Sequence, residues 1–423
     1  MRAVRLRSDT SALAVPAFRI YLAARTIAMI GNALTLVALP ILAFQLTGSA
    51  ALTALLTAVE AAPYLILGLP VGALVDRLDR RAVMVTCGYC GAGLMASIPV
   101  AAGFDRLGFG QVLLVAVGVA TLFVFQDAAA FGALPLIVGR TRIAGATSLL
   151  VSASTVIGLV GPAVGGLLVA TTGAPLVLGL DGVAFAASAT LTLFVRWVDP
   201  PAEAGPERSA WRRLRRDMGE GLRYIWRQPA IRALTLLGIG VSITGGAVTG
   251  LLVVIAVRQL GMAPDGGLIG LLYLATAAGT LLASSTLGRW QRWFGVGRLT
   301  LTALVVAGLA VIPLALASSA GPALAALMVY QFGMTTAIVH GIVVRQVITP
   351  DRLQGRVNTT ARLIAWGATP LGATLGGLAA ETFGTSVAVA LSLVGVLASV
   401  GLGLLLRIHR LPPLAALTPA GPA

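Results

Sequence analysis

Three stretches of this chain, residues 26–59, 143–180 and 299–344, contain no Asp, Glu, Lys or Arg. Each is long enough for most of two membrane-crossing helices, since one crossing takes about 20 apolar residues. Shorter charge-free stretches lie at 82–104, 107–126, 233–257, 266–288, 363–380 and 382–406. Turn signals divide the long runs at Thr47-Gly48-Ser49, Thr172-Gly173-Ala174-Pro175 and Ser319-Ala320-Gly321-Pro322, because Gly and Pro punctuate regular structure. The expected architecture is an all-α membrane protein of twelve transmembrane helices in two pseudo-symmetric six-helix bundles. The helices are expected near 18–44, 50–75, 82–103, 111–137, 146–170, 175–195, 233–257, 266–287, 299–317, 322–344, 358–380 and 386–406.

Composition agrees and excludes several chemistries. Hydrophobic residues make up 57% and charged residues 11% of the 423, against roughly 25% charged in soluble domains. All 30 basic residues are Arg. Without Lys there is no Walker-type phosphate loop and no Schiff base. His340 and His409 are too few for a His-based zinc site. No cofactor is expected, and no nucleophile constellation marks an enzyme.

Orientation follows the Arg bias, because basic loops stay cytoplasmic. With both termini inside, twenty-six Arg fall in cytoplasmic segments, while the outside loops hold only Arg106 and Arg258. Arg25 and Arg362 lie within helices. The net charge of +15 then reflects topology and attraction to anionic inner-leaflet lipid; no nucleic-acid partner is needed. The expected organisation is a cytoplasmic tail (1–17), a six-helix bundle (18–195), a cytoplasmic linker (196–232), a second six-helix bundle (233–406) and a cytoplasmic tail (407–423). Asp199-Pro200-Pro201 and Gly205-Pro206 make the start of the linker irregular. Trp211 to Trp226 then read as a basic amphipathic helix, with Trp211, Leu214, Met218, Leu222 and Ile225 at helical spacing. Such a helix lies in the membrane interface. The expected location is a bacterial inner membrane, with the protein a monomer.

The halves repeat. Arg142-Ile143-Ala144-Gly145 precedes helix 5, and Arg352-Leu353-Gln354-Gly355 precedes helix 11. Gly165-Gly166-Leu167 and Gly173 match Gly376-Gly377-Leu378 and Gly384 at a nearly constant offset. Two copies of a six-helix unit suit a secondary transporter.

The segment between helices 2 and 3 reads Gly72-Ala73-Leu74-Val75-Asp76-Arg77-Leu78-Asp79-Arg80-Arg81. Gly72 would let two helices approach closely. Asp76 sits where it can pair with Arg or cap a neighbouring helix, and Arg77, Arg80 and Arg81 hold the turn. This pattern resembles the loop signature of the major facilitator superfamily, and the resemblance spans the chain. Phe18-Arg19, Leu46-Thr47-Gly48-Ser49, Gly179-Leu180-Asp181 and Pro350-Asp351-Arg352-Leu353-Gln354-Gly355-Arg356-Val357 are similar to the branch of enterobactin exporters and macrolide-efflux-type proteins. Helix 5 carries Gly158, Gly161, Pro162, Gly165 and Gly166, resembling the family's antiporter motif. Its small residues are expected to pack tightly against helix 8, with Pro162 bending the helix.

Ionisable groups inside a membrane are costly and mark function. Glu60 lies about ten residues into helix 2, Asp127 deep in helix 4 beside Gln126, and Arg25 at similar depth in helix 1. The resemblance places helices 1 and 4 along the cavity, so Arg25 and Asp127 can pair. Asp127 or Glu60 would bind a proton or a cationic substrate; the alternative is a permanent ion pair that fixes one conformation. Asp181 is expected to make a structural hydrogen bond, and Glu381 to be solvated at a helix end. Asn32, Phe125, Tyr330, Gln331, Phe332, His340 and Trp366 are cavity candidates with Gln126, although each alone fits ordinary packing. Asn32 stands where relatives often carry Asp. Cys87 and Cys90 read as two buried thiols, not a redox pair.

The resemblance implies a secondary transporter exporting a small amphiphilic molecule by proton-coupled alternating access. Uptake or uniport of a small metabolite is the alternative within transport, and a non-transporting sensor or scaffold the alternative outside it.

Overall fold

The computed structural model describes residues 12–75, 78–139, 141–197, 208–264 and 267–412. The expectations for Asp76, Arg77, Arg140 and segments 1–11, 198–207 and 413–423 lie outside these residues, as do the side chains of Trp211, Leu214, Asp351 and Arg352. The described residues contain no strand.

The first six crossings are α1 (Pro16–Thr47), α2 (Ala50–Val75), α3 (Arg80–Gly103), α4 (Phe109–Val138), α5 (Ile143–Thr172) and α6 (Ala174–Phe194). The linker helix is α7 (Arg208–Arg227). The next four crossings are α8 (Pro229–Gly250), α9 (Leu268–Trp293), α10 (Val296–Leu316) and α11 (Ala320–Ile348). The eleventh crossing is made by α12 (Asp351–Trp366) with α13 (Thr369–Phe383), and the twelfth by α14 (Thr385–Leu405). Among the described residues, twelve segments are long and apolar enough to span a membrane, the number read from the charge-free runs.

Two elements depart from the expected continuous helices. The eleventh crossing breaks at Gly367 and Ala368. Pro370 has no N–H to give the carbonyl four residues back, and its ring crowds that position, so α13 starts as a new helix with Pro in its first turn. The seventh crossing ends at Gly250, followed by a short helical piece, Leu252–Val254, and a wide π-type turn, Ile255–Gln259.

Internal contacts divide the chain into two compact units. Unit 1 comprises Met1–Leu42 and Ala62–Gly205; unit 2 comprises Ala43–Ala61 and Pro206–Ala423. The tip of the α1–α2 hairpin therefore groups with the second half of the chain. In unit 1, α3 packs along α6, with Gly182 meeting Ala92 and Met95. Phe18 and Tyr21 lie in a core with Val71, Met84 and Ala133. Unit 2 buries Ile231, Leu234, Val344, Ile348 and Val357 together.

The repeat is visible in the backbone. Gly173 ends α5 and opens α6 at φ 83, ψ 151, and Gly384 ends α13 and opens α14 at φ 88, ψ 160. Only glycine adopts that region readily. The contacts match as well: Gly161 and Gly165 of α5 meet Ala33 and Leu34 of α1, whereas Gly372 and Gly376 of α13 meet Ile243 and Ala247 of α8.

Candidate functional site

In unit 1, α1 sets Tyr21 and Arg25 one turn apart, and residues four apart share a helix face. On α4, Asp127 and Ala130 are likewise neighbours. The two helices meet through two rungs. The Tyr21 hydroxyl donates to the Ala130 carbonyl at 3.0 Å, and Arg25 Nη2 lies 3.7 Å from Asp127 Oδ1. From α2, the Tyr64 hydroxyl donates to Asp127 Oδ2 at 3.3 Å. The Arg25 distance exceeds a hydrogen bond, so this is charge attraction without a locked geometry. The Asp127 side chain is 41% exposed and that of Arg25 15%. Such a loose, partly exposed pair is one that a proton or cation arriving at Asp127 can compete for, against the guanidinium.

Gln126, beside Asp127, is buried, and Phe125 is half-buried against the unit 1 core. Asn32 is exposed on α1. One position earlier, Gly31 receives a second carboxyl within the crossings of unit 1, Asp181. Asp181 on α6 is 1% exposed. Its Oδ2 accepts the Thr35 hydroxyl at 2.6 Å, while its Oδ1 has no hydrogen-bond partner among the described residues. A Cβ on Gly31 would stand 2.0 Å from that Oδ1, so α6 seats its carboxyl directly on the α1 backbone.

The other sequence candidates are dispersed. Glu60 belongs to unit 2, half-buried and within electrostatic reach of Tyr273. Tyr330 is buried, and its hydroxyl lacks a partner among the described residues. The Gln331 amide donates to the Thr335 hydroxyl at 3.2 Å, and Thr335 lies 3.3 Å from Thr280. Phe332 is half-buried. His340 is fully buried, with the Gln291 amide 3.0 Å from Nδ1. Trp366 is exposed beneath the Arg362 guanidinium, 4.8 Å from the ring centre.

The loop residues and the α5 face are placed as follows. A Cβ on Gly72 would meet nothing within 4 Å among the described residues. Among the described residues of this loop, Asp79 caps α3, accepting from the backbone of Arg81 at 2.8 Å and Ala82 at 3.0 Å. Arg80 lies over Gly132 of α4, whose Cβ would come 2.5 Å from Nε. Arg81 is half-buried. Within unit 1, α5 makes a tight approach to α1: a Cβ on Gly161 would come 2.6 Å from Ala33 Cβ, and one on Gly165 3.3 Å from Leu34 Cα. Gly158 has open space, while Pro162 and Gly166 are buried. Small residues show that a face is smooth; they do not name what it meets. Cys87 is buried as expected, but Cys90, three residues on, is exposed.

Glu381 is not simply solvated. Its Oε2 accepts the Ala50 N–H at 2.9 Å, at the start of α2, and Arg258 Nη1 at 3.2 Å. Arg258 also donates to the Gly48 carbonyl at 2.6 Å and lies 5.8 Å from the centre of the Phe44 ring. A Cβ on Gly377 would come 2.5 Å from Ala54 Cβ. These contacts, all within unit 2, hold the α1–α2 tip. Sequence reasoning passed over Tyr64, Thr35 and this role of Arg258. A lone Arg in a loop otherwise nearly free of charge was the available signal for the last.

The chain matches the model of the Major Facilitator Superfamily over residues 21–367. It is 29% identical over 369 residues to the multidrug efflux pump Tap of Mycolicibacterium fortuitum, covering 84% of this chain and 87% of that one. It is 28% identical over 420 residues to the enterobactin exporter EntS of Citrobacter koseri, covering 94% of each. Among solved structures, a bacterial homolog of the human lysosomal transporter Spinster, inward-facing and unoccupied, superposes with a TM-score of 0.74 at 16% identity. That superposition covers 93% of this chain and 97% of the other. With a family match across most of its length, a twelve-crossing all-helical fold and a repeat carried into the backbone, this chain belongs to the Major Facilitator Superfamily of transporters.

Proposed function

We propose that this transporter exports a small amphiphilic molecule by proton-coupled alternating access, as a monomer in a bacterial inner membrane with both termini cytoplasmic. The observation that carries the coupling is the Arg25–Asp127–Tyr64 cluster: one partly exposed carboxylate with a cation at 3.7 Å and, among the described residues, one hydroxyl donor. A proton taken by Asp127 releases Arg25, and its departure restores the attraction. α1, α2 and α4 thus experience a change in charge pairing with each proton bound. Direction rests on the relatives, whose names describe a multidrug efflux pump and an enterobactin exporter. The 72–81 loop and the α5 glycine face are assigned to the conformational change. Gln331 and Tyr330 are assigned to the substrate path in unit 2, with Glu60 as a second acidic group there.

Each proton crossing contributes about 2.3 kcal/mol per 100 mV, enough to drive a substantial concentration gradient. The test uses the full chain in proteoliposomes with a fluorescent amphiphilic cation. Accumulation driven by an imposed pH gradient, abolished by a protonophore, is the expected result. Exchange of dye at the same rate with and without the gradient would instead identify a uniporter.

A further inference from the structure

The linker helix α7 is bolted to unit 2 along one face and bare along another. On the bolted face, Gly221 admits the backbone of the eleventh crossing so closely that a Cβ there would come 2.7 Å from the Arg356 carbonyl and 2.8 Å from the Thr360 hydroxyl. Glu220 pairs with Arg356. The Tyr224 hydroxyl donates to the Ile348 carbonyl at 3.1 Å, and Ile225 is buried in the unit 2 core. These contacts set the rotation of α7 about its own axis, and so fix which residues face outward.

The outward residues form two parallel stripes. Met218, Leu222 and Trp226, at four-residue spacing, are exposed. Arg216, Arg223 and Arg227, seven and four residues apart, fall on one line down the neighbouring side and are exposed. None of these three Arg has an ion-pair partner among the described residues. The helix as a whole carries seven Arg against Asp217 and Glu220, and Glu220 is engaged with Arg356. An apolar stripe beside a line of unpaired guanidinium groups, on a helix between two membrane crossings, matches one occupant in both chemistry and layout. Acyl chains cover Met218, Leu222 and Trp226, and anionic headgroups meet the Arg line. A soluble polyanion would leave the apolar stripe wet, and a second copy of this chain would bring Arg against Arg.

We propose that this face of α7 is a docking surface for the headgroups of anionic phospholipids. The inference uses the transporter reading only for the bilayer itself, and its test does not require transport.

The full chain is reconstituted in phosphatidylcholine vesicles containing brominated phosphatidylglycerol or, in parallel, brominated phosphatidylcholine at the same mole fraction. The quenching lost on Trp226→Phe isolates the Trp226 signal. Stronger quenching by the anionic lipid is expected. Each Arg near an anionic surface contributes roughly fivefold to enrichment, so the R216Q/R223Q/R227Q variant should quench equally with both lipids. Lys at the same three positions should keep the preference, which separates charge from fold, and high salt should weaken it. Equal quenching by the two lipids in the parent, or a preference that survives the Gln variant, would overturn the proposal. So would a Lys variant that behaves like the Gln variant, since the effect would then be structural. Failure of pH-driven accumulation alone would leave this result untouched and count only against the export reading.

Discussion

Asp127 and Asp181 are the same residue type in the same unit, each reached from α1, and their surroundings are opposite. Asp127 is 41% exposed, with Arg25 at 3.7 Å and Tyr64 at 3.3 Å. Asp181 is 1% exposed, with one hydroxyl donor at 2.6 Å and an oxygen pressed on Gly31. A carboxyl that changes its charge during a cycle must reach water and lose or gain a counter-ion without rebuilding its surroundings. The partly exposed Asp127, with its loose Arg25 partner, fits those conditions better than the sealed Asp181. Sealed polar groups with tight partners specify packing. On the proposed reading, the difference lies in access and exchangeable partners, not in depth in the membrane alone.

The comparison can be broken at its seat. Gly31→Leu places a side chain where Asp181 Oδ1 now lies. Overpacking costs about 1–3 kcal/mol and occasionally more, and the high end is expected because backbone and carboxyl are both fixed. The readout is a fall in the yield of monodisperse protein and in its melting temperature in detergent. Removing one hydroxyl at each carboxyl sharpens the contrast. Thr35→Val takes the only donor among the described residues from a buried group, and an unsatisfied buried acceptor costs about 1–3 kcal/mol; a clear drop in melting temperature is expected, with proton-driven transport retained. Tyr64→Phe removes a donor from a carboxylate that is partly exposed, so about 1 kcal/mol or less is expected, with little change in melting. Its effect should show as an altered pH profile of transport. If the two hydroxyl deletions give equal melting shifts, the two carboxyls do not differ as described.

Much of this fold was legible in the residues. Charge-free runs give the twelve crossings because hydrocarbon tolerates few unpaired charges over that length, and the pairing of Arg25 with Asp127 followed from matched depth in two helices. The break at Gly367–Ala368 was hidden, since Ala, Gly and Pro leave the run apolar while Pro370 interrupts its hydrogen bonding. The partners of glycine faces were hidden too. Gly161 advertises a smooth surface equally well toward any helix, and only the fold assigns it to Ala33. The hold on the α1–α2 tip rests on Arg258 and Glu381, more than a hundred residues apart, a distance no local pattern spans. Tyr64 was passed over because a Tyr in an apolar helix reads as packing.

The most direct test sets Asp127→Asn beside Asp181→Asn in proteoliposomes, with pH-driven accumulation and gradient-free exchange of the amphiphilic cation both recorded. The account predicts that Asp127→Asn loses accumulation while still exchanging dye, and that Asp181→Asn keeps both. Accumulation that persists in Asp127→Asn, or that vanishes only in Asp181→Asn, would contradict it.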